Sequence, residues 1–217
     1  MATSKDHTVT QIRFLTESSF VLRFSRDNMQ FRTGQHIIVG LKGEMDQREY
    51  SIYSGENDDH LEILVKEVSN GNISSKLKHC KQGDILQVNG PFGSFGIETF
   101  YRNSHKHIFI ATGTGISPFH SMVRTWPDIN YTLIHGVRFS NEAYERSEYD
   151  PSRYILCTSK ENNPDHKGRV TSFLAKFRVT SDMLFYLCGN GNMTYEVYHI
   201  LRDKGVPAEN IISEVYF

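Results

Sequence analysis

His107-Ile108-Phe109-Ile110-Ala111-Thr112-Gly113-Thr114-Gly115-Ile116-Ser117-Pro118 is the stretch on which the fold turns. Residues 107–111 make a short, largely apolar run of the kind that fills a buried strand. Two glycines follow, Ser117 is a good N-cap, and Pro118 suits the first position of a helix. Beyond them Phe119, Met122, Val123 and Trp126 recur at i, i+3, i+4 and i+7, the apolar stripe of that helix. Strand, glycine turn and helix in this order open a βαβ unit whose backbone can approach an anion such as a pyrophosphate.

The pattern departs from the usual dinucleotide fingerprint. Pro118 occupies the place of the third small residue, and about twenty positions on, where an acidic residue would meet a ribose, stands Gly136-Val137-Arg138. Arg138 suits a 2′-phosphate better than a free hydroxyl, although an arginine at a strand end is also an ordinary surface residue. Downstream, strands are expected at 131–137, 153–158, 183–188 and 211–216. Val170, Phe173, Leu174 and Phe177 line one helix, and Met193, Val197, Ile200 and Leu201 line another that Gly205 and Pro207 stop. This half therefore predicts a doubly wound, α/β parallel sheet.

Upstream the grammar is different. Short alternating runs at 7–16, 19–24, 35–41, 49–54, 60–68 and 84–89 predict six strands of a small antiparallel β-barrel, with one helix near 74–79. The polar stretch 99–105 carries no periodicity and is the expected boundary between domains of residues 1–100 and 101–217.

At 217 residues and 38% hydrophobic content the chain can bury two modest cores. A formal net charge of −1 argues against binding nucleic acid or a membrane surface through bulk charge. The N-terminal residues lack an apolar signal core, and no apolar run could cross a bilayer, so a cytoplasmic protein is expected. Cys80, Cys157 and Cys188 form no C-x-x-C pair and are too few for a four-thiolate cluster. An iron–sulfur centre served by this protein would thus sit on another polypeptide. Of ten histidines only His105 and His107 fall two apart, without a third ligand nearby, and no metal site is expected.

Two further stretches carry chemistry. Arg48-Glu49-Tyr50-Ser51-Ile52-Tyr53-Ser54 offers a charged fork for a phosphate, a ring for a flat heterocycle and a hydroxyl for a ring nitrogen. The same composition also suits a half-exposed antiparallel strand. Cys188-Gly189-Asn190-Gly191-Asn192-Met193 follows a buried strand, so Cys188 is expected at the crevice beyond the strand ends. No base adjoins it in sequence. It reads as a small polarizable wall beside a reacting ring, or as an inert buried cysteine.

Across nearly its whole length the chain resembles the ferredoxin–NADP reductase superfamily. Arg48-x-Tyr50-Ser51, Gly71-Asn72-Ile73-Ser74, Gly90-Pro91-Phe92-Gly93, Thr112-Gly113-Thr114-Gly115-Ile116-x-Pro118, Cys188-Gly189 and Glu214-Val215-Tyr216 occur in that family's order. The resemblance implies FAD as cofactor, with Arg48 on the pyrophosphate, Tyr50 packed along the flavin and Ser51 near flavin N5. It implies Gly71, Ile73 and Ser74 as a second flavin-phosphate segment, and Val65 and Lys66 as flavin lining. Thr112, Gly113 and Gly115 match the nicotinamide-nucleotide loop, and Cys188 the residue beside the nicotinamide. Glu214 and Tyr216 match a terminal pair facing the flavin, with Glu214 near the proton path. Phe217 extends the chain by one residue, so either terminal ring is a candidate to cover the flavin.

Arg138, Ser159, Lys160 and Arg169 fall where bacterial relatives carry basic residues around a 2′-phosphate, which favours NADPH over NADH. The implied activity is hydride transfer from NADPH to FAD, followed by single-electron transfer to ferredoxin or flavodoxin, in a monomer or weak dimer. Two other readings stand beside it. One is an NADH-dependent reductase serving an oxygenase or free flavin; the other is a non-catalytic flavin-binding electron-transfer subunit.

Overall fold

Alternating apolar residues in the first hundred positions give β1 (Lys5–Phe14), β2 (Ser19–Ser25), β3 (His36–Leu41), β4 (Gln47–Ser51), β5 (His60–Lys66) and β6 (Ile85–Phe92). The computed structural model describes residues 4–68, 71–162 and 165–216, and in it these strands form one antiparallel sheet in the order β4-β3-β6-β1-β2-β5. Just beyond β4, Ile52 bridges Ile63 of β5 and the Tyr53 N–H donates to the Glu62 carbonyl at 2.8 Å. The end strands thereby meet, which satisfies edge groups that would otherwise face solvent. Val9, Phe20, Leu22, Phe24, Ile37 and Val39 are fully buried inside, and helix α1 (Asn72–Lys78) adds Ile73 and Leu77 to the same core.

The remaining strands are β7 (Lys106–Thr112), β8 (Tyr131–Val137), β9 (Tyr154–Thr158), β10 (His166–Lys167), β11 (Met183–Asn190) and β12 (Ile211–Tyr216). They form a parallel sheet in the order β10-β9-β8-β7-β11-β12. Successive strands step outward from β7 to one side as far as β10, and then β11 and β12 build on its other side. Such a reversal is where ligands of open parallel sheets bind. Helices α2 (Ser117–Thr125), α3 (Val170–Lys176) and α4 (Gly191–Asp203) accompany the sheet in sequence. Ile108, Ile110, Phe185 and Leu187 form a core with Val170 and Leu174 of α3 and Val197 and Leu201 of α4.

The chain divides into two compact units. The first runs to Gly96 and takes in Ser117–Pro127; the second comprises Ile97–Ile116 and continues from Asp128. Helix α2 thus packs with the barrel. His120 stacks on Tyr53 with ring centroids 3.7 Å apart and bonds its carbonyl through Nδ1 at 2.7 Å. The Ser121 hydroxyl donates to the Ser54 carbonyl at 2.6 Å, and the Arg124 guanidinium pairs with Asp58 at 2.6 Å.

Four details differ from the sequence reading. The strand expected over 49–54 ends at Ser51, because Ile52, Tyr53 and Ser54 exchange β3 for β5 and α2 as partners. The first helix starts at Asn72, and Gly113–Ile116 winds as a 3-10 turn ahead of α2. Two-residue β10 is too short to show any period. Among the described residues no helix is long and apolar enough to cross a membrane.

Candidate functional site

In the first unit, β4 pairs with β3 in a register that sets Arg48 beside Val39, Tyr50 beside Ile37 and Ser51 beside His36. Arg48 is exposed. Its Nη1 donates to the Gln47 carbonyl at 2.8 Å, and among the described residues no carboxylate pairs with it. Tyr50 is half-buried against the barrel core, and that burial pushes its hydroxyl up to about 12 despite the nearby Arg48 charge. It therefore stays a neutral phenol. Ser51 closes the strand and is buried.

The expected lining residues divide. Val65 is fully buried in the core, so its side chain cannot line a bound flavin and only its backbone is available; Lys66 is partly exposed. Gly71 is the N-cap of α1, the Ile73 side chain is committed to the core, and Ser74 Oγ accepts the Val68 N–H at 3.1 Å.

Glu62, on apolar β5, is a buried carboxylate that sequence reasoning missed. Arg13 Nη1 donates to it at 2.6 Å and Arg23 Nε at 2.8 Å. Burial alone would raise its pKa, but the two guanidiniums outweigh that and hold it below the ordinary value. Its backbone anchors the end of the Arg48–Ser54 stretch, since the Tyr53 N–H donates to its carbonyl and its own N–H donates to Ser54 Oγ at 3.1 Å. A charged residue inside Leu61-Glu62-Ile63-Leu64-Val65 was the available signal.

In the second unit the end of β7 with the turn that follows it lies against the end of β11. A Cβ on Gly115 would come within 2.3 Å of the Cys188 carbonyl oxygen. Gly189 has φ +135°, and a Cβ there would lie 2.4 Å from Thr112 Oγ1. Only glycine permits backbones so close. The Asn190 N–H donates to Thr112 Oγ1 at 3.2 Å, and the Asn190 side chain caps α4 by accepting the Asn192 N–H at 3.0 Å.

Parallel pairing sets Cys188 beside Glu214 and Asn190 beside Tyr216. The Cys188 thiol points at Glu214 Oε2 at 4.0 Å. Rather than opening to a crevice, Cys188 is fully buried; burial and the Glu214 charge push its pKa far up, against a hydrogen bond with Tyr216. It is a neutral thiol and no nucleophile. Phe217 lies outside the described residues.

Arg138, Ser159, Lys160 and Arg169 come together at the carboxyl ends of β8, β9 and β10. The Ser159 N–H donates to the Val137 carbonyl at 3.1 Å, Lys160 N–H to the Arg138 carbonyl at 3.0 Å, and Gly168 N–H to the Thr158 carbonyl at 2.8 Å. All four side chains are exposed. Glu142 Oε2 accepts the Arg138 N–H at 2.9 Å, so this carboxylate is held on backbone.

An exposed guanidinium, a half-buried aromatic ring and a buried hydroxyl follow one another on β4, groups of the kinds that phosphates and a flat ring system attract. Comparison with known proteins agrees. Residues 7–97 match an oxidoreductase FAD-binding domain, and residues 109–198 an oxidoreductase NAD-binding domain. The chain is 33% identical to a ferredoxin–NADP reductase of Azotobacter vinelandii over 91% of its own length and 89% of that protein's. It is 30% identical to a flavodoxin/ferredoxin–NADP reductase of Rhodobacter capsulatus, covering 96% of this chain and 92% of that one. The same fold is seen in a ferredoxin NADP+ reductase from Neisseria gonorrhoeae with bound FAD and NADP, at a TM-score of 0.90 and 22% identity over 100% of both chains. Shared sequence along almost the whole of two such reductases, on a fold that assembles the motifs just described, shows that the chain belongs to the ferredoxin–NADP reductase family.

Proposed function

We propose that this oxidoreductase is a cytoplasmic, NADPH-dependent enzyme that holds FAD and passes electrons to ferredoxin or flavodoxin. The observation carrying the nucleotide choice is the convergence of Arg138, Lys160 and Arg169, with Ser159, on three neighbouring strand ends. Three exposed cations beside a serine hydroxyl suit the two charges of a 2′-phosphate better than a neutral ribose.

When bound, FAD would supply the conversion between two-electron and one-electron chemistry that links a nicotinamide nucleotide to a one-electron acceptor. The protein's part is to bind and orient. Arg48 is read as the pyrophosphate fork, Tyr50 as a packing ring and Ser51 as a hydroxyl donor, with Gly71, Ile73 and Ser74 contributing backbone. Thr112, Gly113 and Gly115 are read as the nucleotide loop. Cys188 is read as a buried, neutral packing group, and Glu214, whose Oε2 lies 4.0 Å from that thiol, as the residue near the proton path.

The test is steady-state oxidation of NADPH and NADH with ferredoxin, flavodoxin or a dye as acceptor. Arg138→Ala is expected to raise the KM for NADPH about tenfold, the value of one charge-assisted hydrogen bond, and to leave that for NADH nearly unchanged. A preference for NADH in the unaltered protein would overturn the assignment of the basic residues and favour the oxygenase-reductase reading. A yellow protein that oxidises neither nucleotide would instead favour an electron-transfer subunit.

A further inference from the structure

His135, in the apolar strand Tyr131-Thr132-Leu133-Ile134-His135-Gly136-Val137, was given no role by the sequence reading, and it is fully buried. Both ring nitrogens are engaged. Nδ1 lies 2.6 Å from the Tyr154 hydroxyl and Nε2 lies 2.9 Å from the Gly113 carbonyl oxygen. A carbonyl can only accept, so Nε2 carries the proton; a neutral ring then leaves Nδ1 to accept from the Tyr154 O–H. Burial pushes the imidazole down to about 4, against the Gly113 hydrogen bond and the charge of Glu142, so the ring is neutral. Tyr154 and Tyr144 flank it, and burial also pushes the Tyr154 hydroxyl well up, so it too keeps its proton.

We propose that His135 is the positioning residue of the loop 112–115. Its Nε2–H holds the Gly113 carbonyl toward the sheet, and the planar trans peptide thereby fixes the Thr114 N–H on the opposite side, which sets the backbone path of the loop read as taking the nucleotide phosphates. In a trans peptide the C=O and N–H point in opposite directions, so fixing one orients the other. Tyr154 reinforces the tautomer that the Gly113 carbonyl sets: its O–H donates to Nδ1, and without it the Nε2-protonated ring loses one of its two partners and part of its preference. This proposal rests on the reading of 112–115 as the nucleotide loop.

Three variants and two readouts test it. His135→Phe keeps a ring but loses the donor, and is expected to raise the KM for the preferred nucleotide at least tenfold while kcat and flavin content hold. His135→Gln restores a donor and should recover most of that loss; Tyr154→Phe should raise the KM about threefold. An unchanged KM in His135→Phe, or a loss in the Gln variant equal to that in the Phe variant, would overturn the proposal. If His135→Phe does not fold, an unchanged KM in Tyr154→Phe does so instead. The second readout is independent of turnover: 15N spectra of histidine-labelled protein should show His135 protonated at Nε2 at pH 7, and a shifted Nδ1 resonance, from loss of its hydrogen bond, in Tyr154→Phe. An Nδ1-protonated or charged ring would sink the idea even if the nucleotide reading stands. Inability of the unaltered protein to bind either nucleotide would sink that reading while leaving the tautomer result intact.

Discussion

Replacing Glu62 by alanine is expected to lower the unfolding free energy of the first unit by about 3 kcal/mol, at the lower end of the range for breaking a buried ion pair. The lower end applies because Arg13 and Arg23 keep part of their side chains in water and can rehydrate, whereas the carboxylate is covered. The same change should reduce flavin retention, since Glu62 and Ser54 fix where the Arg48–Ser54 stretch ends. The pH dependence follows from the sign of the shift. The folded pKa lies below the ordinary 4.5, so the contribution is complete above about pH 5. As pH falls through 4.5 and then through the folded value, the stabilisation is lost. Urea midpoints of wild type and Glu62→Ala should therefore approach each other as pH falls below 4.5 and through the folded value. Parallel curves across that range would show that the pair contributes nothing specific.

Arg48→Ala is expected to weaken FAD binding by about 30- to 150-fold, from the loss of a charged hydrogen bond to phosphate worth about 2 to 3 kcal/mol. Titration of flavin-free protein with FAD, followed by fluorescence, measures it. The melting temperature of the flavin-free variant should hardly move, because Arg48 is exposed and bonds only a neighbouring carbonyl among the described residues. Arg48→Lys keeps the charge without the planar fork and should fall between. Equal FAD affinity in all three proteins would remove Arg48 from the site.

Much of the fold was legible because each half repeats one simple period. Short, mostly alternating runs mark the barrel strands, and the appearance of i, i+3, i+4 spacing after Gly115 marks the alternation of strand and helix in the second half. Ile211–Tyr216 and Tyr131–Val137 were found to the residue. What escaped depends on contacts distant in sequence. That β4 stops at Ser51 follows from Ile63 and Ser121, which no local pattern announces. Cys188 could be located at a strand end but not seen to be covered, because its cover includes Glu214 and Tyr216. Glu62 and His135 are different: each is a polar residue inside an apolar strand, and its role is set by Arg13 and Arg23 or by Gly113 and Tyr154, partners that the strand's own period does not reveal.

The membership of α2 in the barrel's unit has a consequence for how the chain can be made and recombined. Because Ser117–Pro127 completes a unit that otherwise ends at Gly96, that unit is discontinuous in sequence, and its last packing surface leaves the ribosome only after twenty residues of the other unit. A single crossover at the sequence boundary would give the barrel a foreign helix. Such a chimera succeeds only if the incoming helix brings counterparts of His120, Ser121 and Arg124 for Tyr53, Ser54 and Asp58. Exchange of nucleotide halves between relatives is therefore a negotiation over one helix as much as over a linker.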